Sequence, residues 1–282
     1  MRADSFFKIE VEEEKIIFLS YNVNDVKQIV DDCVNYFFNE ESLFSYFKAL
    51  EENDTFAPSS ENYVSLFRYL EYFVDEDVAG VRNDKIGKLG EYFLSVLLLD
   101  FLKADCIIPK LIYITDNNMP IYGIDTLFYS SEMDLMMFGE SKFTNDINSG
   151  ISLLNSSLSE YDKQFDDEYR LIVNNNAFAK SKNKFIREFA GPSSSAISFK
   201  DFINKANIKT LGVPLFVCHG KEIDKHEIFE AFNSRLHTRD VISGMGIKYI
   251  VISLPINDKA QFVSLLKEKI IEKKKSYGRL SR

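Results

Sequence analysis

Tryptophan is absent from this chain of 282 residues, and cysteine, proline and glycine are scarce, with 3, 6 and 12 copies. So little proline and glycine argues against a low-complexity or linker-rich chain, and we expect order almost from end to end. The cysteines, Cys33, Cys106 and Cys218, are odd in number and far apart, without a C-x-x-C pair. This spacing argues against a disulfide framework and a zinc knuckle, and it favours a reducing, cytoplasmic location.

A long apolar run is also missing. The longest one, YFLSVLLLDFL at 92–102, is shorter than the about 20 residues that a membrane-spanning helix needs. The first residues, MRADSFFKIEVEEEK, are charged where a secretory leader has its apolar core. We therefore expect a soluble protein without a membrane partner.

Charge is distributed unevenly along the chain. The net charge is −9, but residues 1–80 hold 6 basic and 18 acidic side chains, whereas residues 81–282 hold 28 and 25. We interpret 1–80 as an acidic, mainly helical N-terminal cap or partner-contact region, and 81–282 as the domain that carries the chemistry. The last sixteen residues, with seven basic and two acidic groups, predict a basic C-terminal helix that either follows a polyanion or is simply kept soluble by its charge.

The order of apolar runs and turn residues predicts alternating strands and helices. Before residue 82 we expect a strand or hairpin at 6–21 and helices at 24–52 and 61–75. The patterns then predict a buried helix at 83–105, a meander of strands at 106–115, 119–130 and 132–143, a helix at 144–168 capped by Thr144, and a strand at 169–175. Helices near 181–190, 198–208, 222–236 and from 258 alternate with strands at 213–220 and 246–256. This order is typical of an α/β sheet covered by helices on both faces.

One predicted strand carries an acidic and a basic side chain on the same face. In FGESKF, residues 138–143, Glu140 and Lys142 are separated by Ser141, so both point to one side, about 7 Å apart along the strand. Asp125 ends the G-I-D of the preceding strand. If the two strands form a hairpin around 130–132, Asp125 falls opposite roughly 137–139, and the three side chains can converge.

Asp125 and Glu140 are candidate metal ligands. Two neighbouring carboxylates in an apolar sheet disfavour each other's ionisation unless a cation neutralises them. Oxygen ligands suit Mg²⁺ or Mn²⁺, which retains water and binds phosphates through its remaining positions. Such an ion lowers the pKa of a bound water, and Lys142 would orient that water or neutralise developing charge, as phosphodiester hydrolysis requires. Glu91, on the helix before the meander, is a further candidate carboxylate.

The remaining candidate residues are weaker evidence for a catalytic or binding site. An E-x-K pair also occurs on solvated strands, and Glu91 fits a surface position on an amphipathic helix equally well. Asp134 shares the strand parity of Glu140 but lies about 20 Å away along the strand. Cys218 and His219 are neighbours and face opposite ways, so they do not form a nucleophile and base. The best internal basic cluster fits a DNA path and a solvated helix edge equally well; it comprises Lys180, Lys182, Lys184 and Arg187.

A helix with Glu91, a strand with GID, a strand with ESK and a following helix resemble the core of PD-(D/E)xK nucleases. The stretches GIDTLFY and DLMMFGESKFTNDI are similar, more closely, to the HamA family, the nuclease subunits of the Hachiman antiphage defence system. The resemblance implies a restriction-endonuclease-like mixed sheet flanked by helices, a Mg²⁺-dependent DNase domain at 81–282, and a helicase partner, HamB. It also implies that Asp125, Glu140 and Glu91 bind the metal and that Lys142 acts on the water.

Two other functions stay open at this point. A non-catalytic adaptor would keep the fold and bind a helicase or DNA, and an RNase would use the same metal chemistry. A nucleotide motor is not encoded here, because the glycine-rich AGVRNDKIGKLGE has Leu89 after its G-K and Arg82 where a phosphate-binding loop needs glycine. Any unwinding of DNA therefore falls to another chain.

Overall fold

The computed structural model describes residues 7–13, 15–21, 25–48, 70, 83–108, 126–130, 132–174, 198–205, 207–220 and 224–280. The helix predicted at 181–190 and nearly all of the one predicted at 61–75 lie outside these residues.

The helices and strands alternate as follows. The N-terminal third contains β1 (Lys8–Glu12), β2 (Ile16–Ser20), α1 (Val26–Phe37), α2 (Glu40–Lys48) and α3 (Asn83–Asp100). The middle contains β3 (Asp105–Ile108), β4 (Thr126–Ser130), β5 (Leu135–Thr144), α4 (Ile147–Asn174) and α5 (Phe199–Lys205). The last part contains β6 (Thr210–Gly220), α6 (Lys225–Arg235), β7 (Val241–Ile242), β8 (Met245–Asn257) and α7 (Lys259–Leu280).

All of these strands belong to one mixed sheet. Its main path runs β1-β2-β8-β6-β5-β4-β3, and the short β7 pairs with β8. The four central strands β2, β8, β6 and β5 are parallel, while β1, β3, β4 and β7 pair antiparallel to their neighbours. The predicted α/β sheet is confirmed, and so is the order of the predicted meander β3-β4-β5. The parts of its first two strands predicted at 109–115 and 119–125 lie outside the described residues.

Helices cover both faces of the sheet, which explains why the central strands are apolar on both sides. Helices α1, α2, α3 and α7 share a hydrophobic core with strand residues such as Met137, Phe216 and Ile252, and we call this side the α3 face. Helices α4, α5 and α6 pack with Phe138 and Val217, among others, and we call this side the α4 face. Consecutive residues of β5 thus alternate between two separate cores.

The N-terminal residues take part in this same sheet and core. β2 pairs in parallel with β8, from Ile16 opposite Tyr249 to Ser20 opposite Ser253. Phe37 of α1 stacks on Phe93 of α3 with ring centroids 4.0 Å apart. Whether residues 1–80 have a function of their own as a cap or partner contact stays a prediction.

Some local predictions are wrong. The helix predicted at 24–52 is two helices, α1 and α2, which are separated at Phe38 and Asn39. The strand predicted at 169–175 does not form over 169–174, because α4 continues through Asn174. Thr144 is not the cap of α4 either: it is the last residue of β5, and its hydroxyl donates to the Asp146 carbonyl. The N-cap of α4 is Asp146. Its Oδ1 accepts a hydrogen bond from the backbone N–H of Ser149, three residues later, at 2.9 Å, as an N-terminal capping carboxylate does.

Candidate active site

Strand β5 brings Glu140 and Lys142 together on the α4 face. The Lys142 ammonium donates to Glu140 Oε2 at 2.7 Å. The Glu140 side chain is 3 % exposed and that of Lys142 is 22 % exposed. A carboxylate at this depth is costly unless it is paired, so the ion pair keeps a charged group inside the sheet layer. The predicted proximity of these two residues is confirmed.

The hairpin that leads into the pair has a defined register. β4 and β5 are antiparallel, with Ser130 opposite Leu135 and Thr126 opposite Gly139. The sequence predicts Asp125 opposite roughly 137–139, and its neighbour Thr126 pairs with Gly139. Asp125 itself lies outside the described residues.

A proline lies on β6, next to the residue that pairs with Glu140. β5 and β6 are paired in one register on both sides of this point, with Met137 opposite Gly212 and Glu140 opposite Leu215. Pro214, just before Leu215, has no backbone N–H and cannot donate to a neighbouring strand, which is unusual in a central strand. Glu140 is therefore the first residue of β5 beyond this weakened step of the ladder.

Helix α3, which carries Glu91, packs on the opposite face of β5. A Cβ added to Gly90 would lie 3.3 Å from Ser141 Oγ, so glycine permits close approach of the helix to the strand. Ser141 points to the α3 face, whereas its neighbours Glu140 and Lys142 point to the α4 face. Glu91 is partly buried next to this contact. The structure thus places Glu91 on the helix against the E-x-K strand, and its role as a ligand stays a prediction.

A buried histidine lies near the pair. His219 on β6 pairs with Thr144 of β5, and its side chain is fully buried. Nε2 lies 2.9 Å from Ser253 Oγ, and Nδ1 lies 3.3 Å from the Gly220 carbonyl. Burial lowers the pKa of His219 from 6.5 to about 4, against smaller opposing effects of the Gly220 carbonyl and Asp146. The imidazole is neutral at pH 7. Only the pairing of β5 with β6 shows that this histidine lies near the candidate site.

The remaining sequence candidates separate from the pair. Asp134 lies in the turn before β5 with φ of 50°, exposed, and accepts the Tyr129 hydroxyl at 3.0 Å. The basic cluster at 180, 182, 184 and 187 lies outside the described residues. Among the residues that the structure does describe, no three His, Cys, Asp or Glu side chains form a group that could hold a metal ion.

A sequence profile of the HamA family matches residues 5–270. The chain belongs to the HamA family. Membership gives this protein a role in Hachiman antiphage defence. No curated protein and no solved structure matches the HamA-family chain significantly. Over the described residues, none of the helices is both long enough and apolar enough to cross a bilayer.

Proposed function

We propose that this HamA-family protein is a metal-dependent DNase that hydrolyses phosphodiester bonds in Hachiman defence together with a helicase partner. The observation that carries the proposal is the buried Glu140–Lys142 ion pair, with its nitrogen and oxygen 2.7 Å apart. It lies in the carboxyl-terminal half of the parallel strand β5. In open α/β sheets, ligands bind beyond the carboxyl ends of the strands.

The order of elements supports a PD-(D/E)xK core. Helix α3, the meander β3-β4-β5, helix α4, the short helix α5 and strand β6 follow one another, so the order is helix, three strands, two helices and strand. The last strand is β6 at Thr210–Gly220, in place of the strand predicted at 169–175. The ESK sequence lies on the third strand of the meander, where the (D/E)xK element of such a core belongs.

Part of the proposed set of metal ligands lies within the described residues, and that part suits a hard divalent cation. Glu140 supplies a carboxylate that is buried and held in place by a lysine. Asp125 directly precedes Thr126, which is opposite Gly139, and adjacent Cα atoms along a chain are about 3.8 Å apart. Asp125 and Glu140 would hold Mg²⁺ or Mn²⁺, and the resemblance to PD-(D/E)xK nucleases adds Glu91, whose helix α3 packs on the other face of β5. When bound, such an ion supplies Lewis acidity toward a phosphate and a water of lowered pKa.

The residues of the chain have separate tasks in this proposal. Glu140 contributes a fixed negative charge on a rigid strand, which holds a ligand oxygen more firmly than a loop does. Lys142 neutralises that charge and is the more exposed of the two. Its ammonium would also face the phosphate and the attacking water. Helix α4 packs on the face of β5 to which both side chains point.

The proposal includes a division of labour with a second chain in the cytoplasm. The HamA-family protein would cleave, and the helicase partner would unwind or translocate. Lys180, Lys182, Lys184 and Arg187 would contribute to the DNA path. The two other functions, an RNase and a non-catalytic adaptor, predict different outcomes in the following experiment.

The test is cleavage of a supercoiled plasmid and of an RNA of matched sequence, with Mg²⁺ or with EDTA, and with or without the helicase partner. The full-length wild type is compared with Glu140→Gln and Lys142→Met. Lys209→Met is the matched control, because Lys209 is an exposed lysine just before β6, at the opposite end of the sheet.

We expect Mg²⁺-dependent cleavage of DNA by the wild type and the control, and a loss of at least a hundredfold in both site variants. Cleavage of RNA alone would make the protein an RNase. Cleavage of neither substrate, together with binding of helicase or DNA, would make it an adaptor. Equal cleavage by the wild type and both site variants would remove these residues from the mechanism.

A further inference from the structure

A second lysine is fixed at the end of the strand that carries the candidate site. Lys259 begins α7, directly after β8 and the linking Asp258. Its ammonium donates to the backbone carbonyl of Phe143 at 3.1 Å and lies 5.7 Å from the centre of the Phe143 ring. Phe143 is the residue that follows Lys142.

The strand ends around Lys259 are closely packed. A Cβ on Gly220, at the end of β6, would lie 2.5 Å from the Asn145 carbonyl oxygen and 3.1 Å from that of Asn257. The Phe143 ring also packs against Phe262 of α7, with centroids 6.1 Å apart. The backbone around Lys259 is therefore packed against the end of β5. The hydrogen bond from Lys259 to the Phe143 carbonyl, together with covalent geometry, puts the Lys259 ammonium within roughly 9 Å of the Lys142 Cα.

The charge of Lys259 is not cancelled by an acidic partner in the described part of the chain, where its ammonium forms no ion pair. The adjacent Asp258 directs its carboxylate to the α7 backbone, because Oδ1 accepts the N–H of Gln261 at 2.7 Å. Lys259 is partly exposed. An ammonium has three hydrogens to donate, and the Phe143 carbonyl takes one of them.

We propose that Lys259 binds the DNA backbone phosphate next to the one that is cleaved. This inference rests on the proposed nuclease function. Successive phosphates of one DNA strand rise by about 3.4 Å along the helix axis, so a strand whose phosphate meets Lys142 places a neighbouring phosphate within reach of Lys259. Lys142 lies on the α4 face, whereas Lys259 reaches the end of β5 from α7 on the α3 face. The ammonium groups of Lys142 and Lys259 thus lie on opposite faces of the sheet at the end of β5, and each would approach the DNA from its own face.

A purely structural role for Lys259 makes a different prediction. If its only task is to cap the Phe143 carbonyl, its replacement lowers the melting temperature without altering how DNA binding depends on salt. Lys259→Met keeps an unbranched side chain and removes the charge, and Lys259→Arg keeps the charge. Lys209→Met removes an exposed lysine from the far end of the sheet, about 30 Å away along an eleven-residue strand.

The experiment measures binding of a short DNA duplex between 50 and 300 mM NaCl in the full-length Glu140→Gln background, so that DNA is not consumed. We expect Lys259→Met to reduce the slope of log affinity against log salt by about 0.9, which is about an eightfold loss at 0.1 M salt. Lys259→Arg and Lys209→Met should retain the parental slope. Melting temperatures confirm that each variant is folded, and Lys259→Gln replaces Lys259→Met if the latter does not fold.

An unchanged slope in the folded Lys259 variant, or an equal change in Lys209→Met, overturns the phosphate contact. No binding of DNA by the parent at 50 mM NaCl overturns it as well. Wild-type cleavage measured in parallel separates the two proposals: if the plasmid is cut while the slope is unchanged, the role of Lys259 fails and the nuclease function stands.

Discussion

Lys142 is more exposed than the carboxylate it neutralises: its side chain is 22 % exposed, against 3 % for Glu140, with 2.7 Å between the two charged groups. Because the carboxylate is the deeper member, removal of the lysine takes an opposite charge away from a buried charged group. Removal of the glutamate leaves an ammonium that can turn toward solvent. The two halves of this pair are therefore unequal in their effect on stability.

We expect Lys142→Met to lower the free energy of unfolding by on the order of 3 kcal/mol, and Glu140→Gln to lower it by about 1 kcal/mol. The double variant should recover at least about 1 kcal/mol relative to the sum of the single changes. Urea unfolding of the four proteins at pH 7 measures these differences. Strict additivity would mean that the two charged groups do not interact in the folded protein.

Glycines on two helices should respond to alanine in opposite directions. A Cβ on Gly150 of α4 would lie 2.6 Å from Val217 Cγ1, so Gly150→Ala should destabilise the protein by about 1–3 kcal/mol. A Cβ on Gly87 of α3 meets no atom within 4 Å, so Gly87→Ala should stabilise by about 0.5–1 kcal/mol through helix propensity. Val217 pairs with Lys142, and we therefore also expect slower cleavage in Gly150→Ala alone.

Thermal and urea unfolding of the two glycine variants, with cleavage rates at a temperature where both are folded, check this prediction. Destabilisation by Gly87→Ala, or stabilisation by Gly150→Ala, would contradict the packing of α3 and α4 on the sheet described above.

Acidification should destabilise the fold through His219. Its pKa is lowered to about 4 by burial, whereas the unfolded chain has the ordinary value of 6.5. Between these values the unfolded chain takes up a proton that the folded chain does not, so stability is fully present above pH 6.5 and falls as the pH drops toward 4. The loss attributable to His219 is roughly 3 kcal/mol.

The pH effect is measured by urea unfolding at several values from pH 7.5 to 4.5. The double variant His219→Leu with Ser253→Ala, which removes both hydrogen-bonding partners, should show a shallower fall than the wild type. The exposed His237→Gln should behave as the wild type does. Parallel curves for the wild type and the double variant would exclude a neutral buried imidazole at position 219.

The acidic N-terminal region offers a test of restraint by charge. Deletion of 1–80 would remove β2 from its pairing with β8 and α1 from the core, so single substitutions are the better probe. Glu12, Glu13 and Glu41 are exposed, and their joint replacement by glutamine should tighten DNA binding severalfold at 50 mM salt if this region repels phosphates. The gain should fade at 300 mM salt, where screening is stronger. Binding that is unchanged at both salt concentrations would exclude such repulsion.

Period-two alternation in β5 was sufficient to predict that Glu140 and Lys142 share one face, because the pleat of a strand fixes this locally. The meander was also predictable from local sequence, because turn residues separate its apolar runs. The end of α4 was not: YRLIVNN at 169–175 is rich in residues that favour strands, yet the helix continues through Asn174. Strand propensity in so short a run is weak compared with the continuation of a helix already formed.

Contacts between residues far apart in the sequence could not be predicted from local patterns either. The pairing of β2 with β8 joins residues 16–20 to 249–253, and no pattern within either segment indicates its partner. The same holds for the Lys259 ammonium at the Phe143 carbonyl, which joins positions 116 residues apart. Charge counts suggested a separate acidic cap, but the composition of a segment does not show which sheet its strands complete.

The central claim is that Asp125, Glu140 and Lys142 form one metal-dependent site. The most direct measurement is titration of the full-length protein with Mn²⁺, with free ion followed by electron paramagnetic resonance, for the wild type, Asp125→Asn, Glu140→Gln and Lys209→Met. The account predicts that the wild type and Lys209→Met bind Mn²⁺ equally, and that each carboxylate variant weakens binding at least tenfold. Equal Mn²⁺ binding by all four proteins would contradict it.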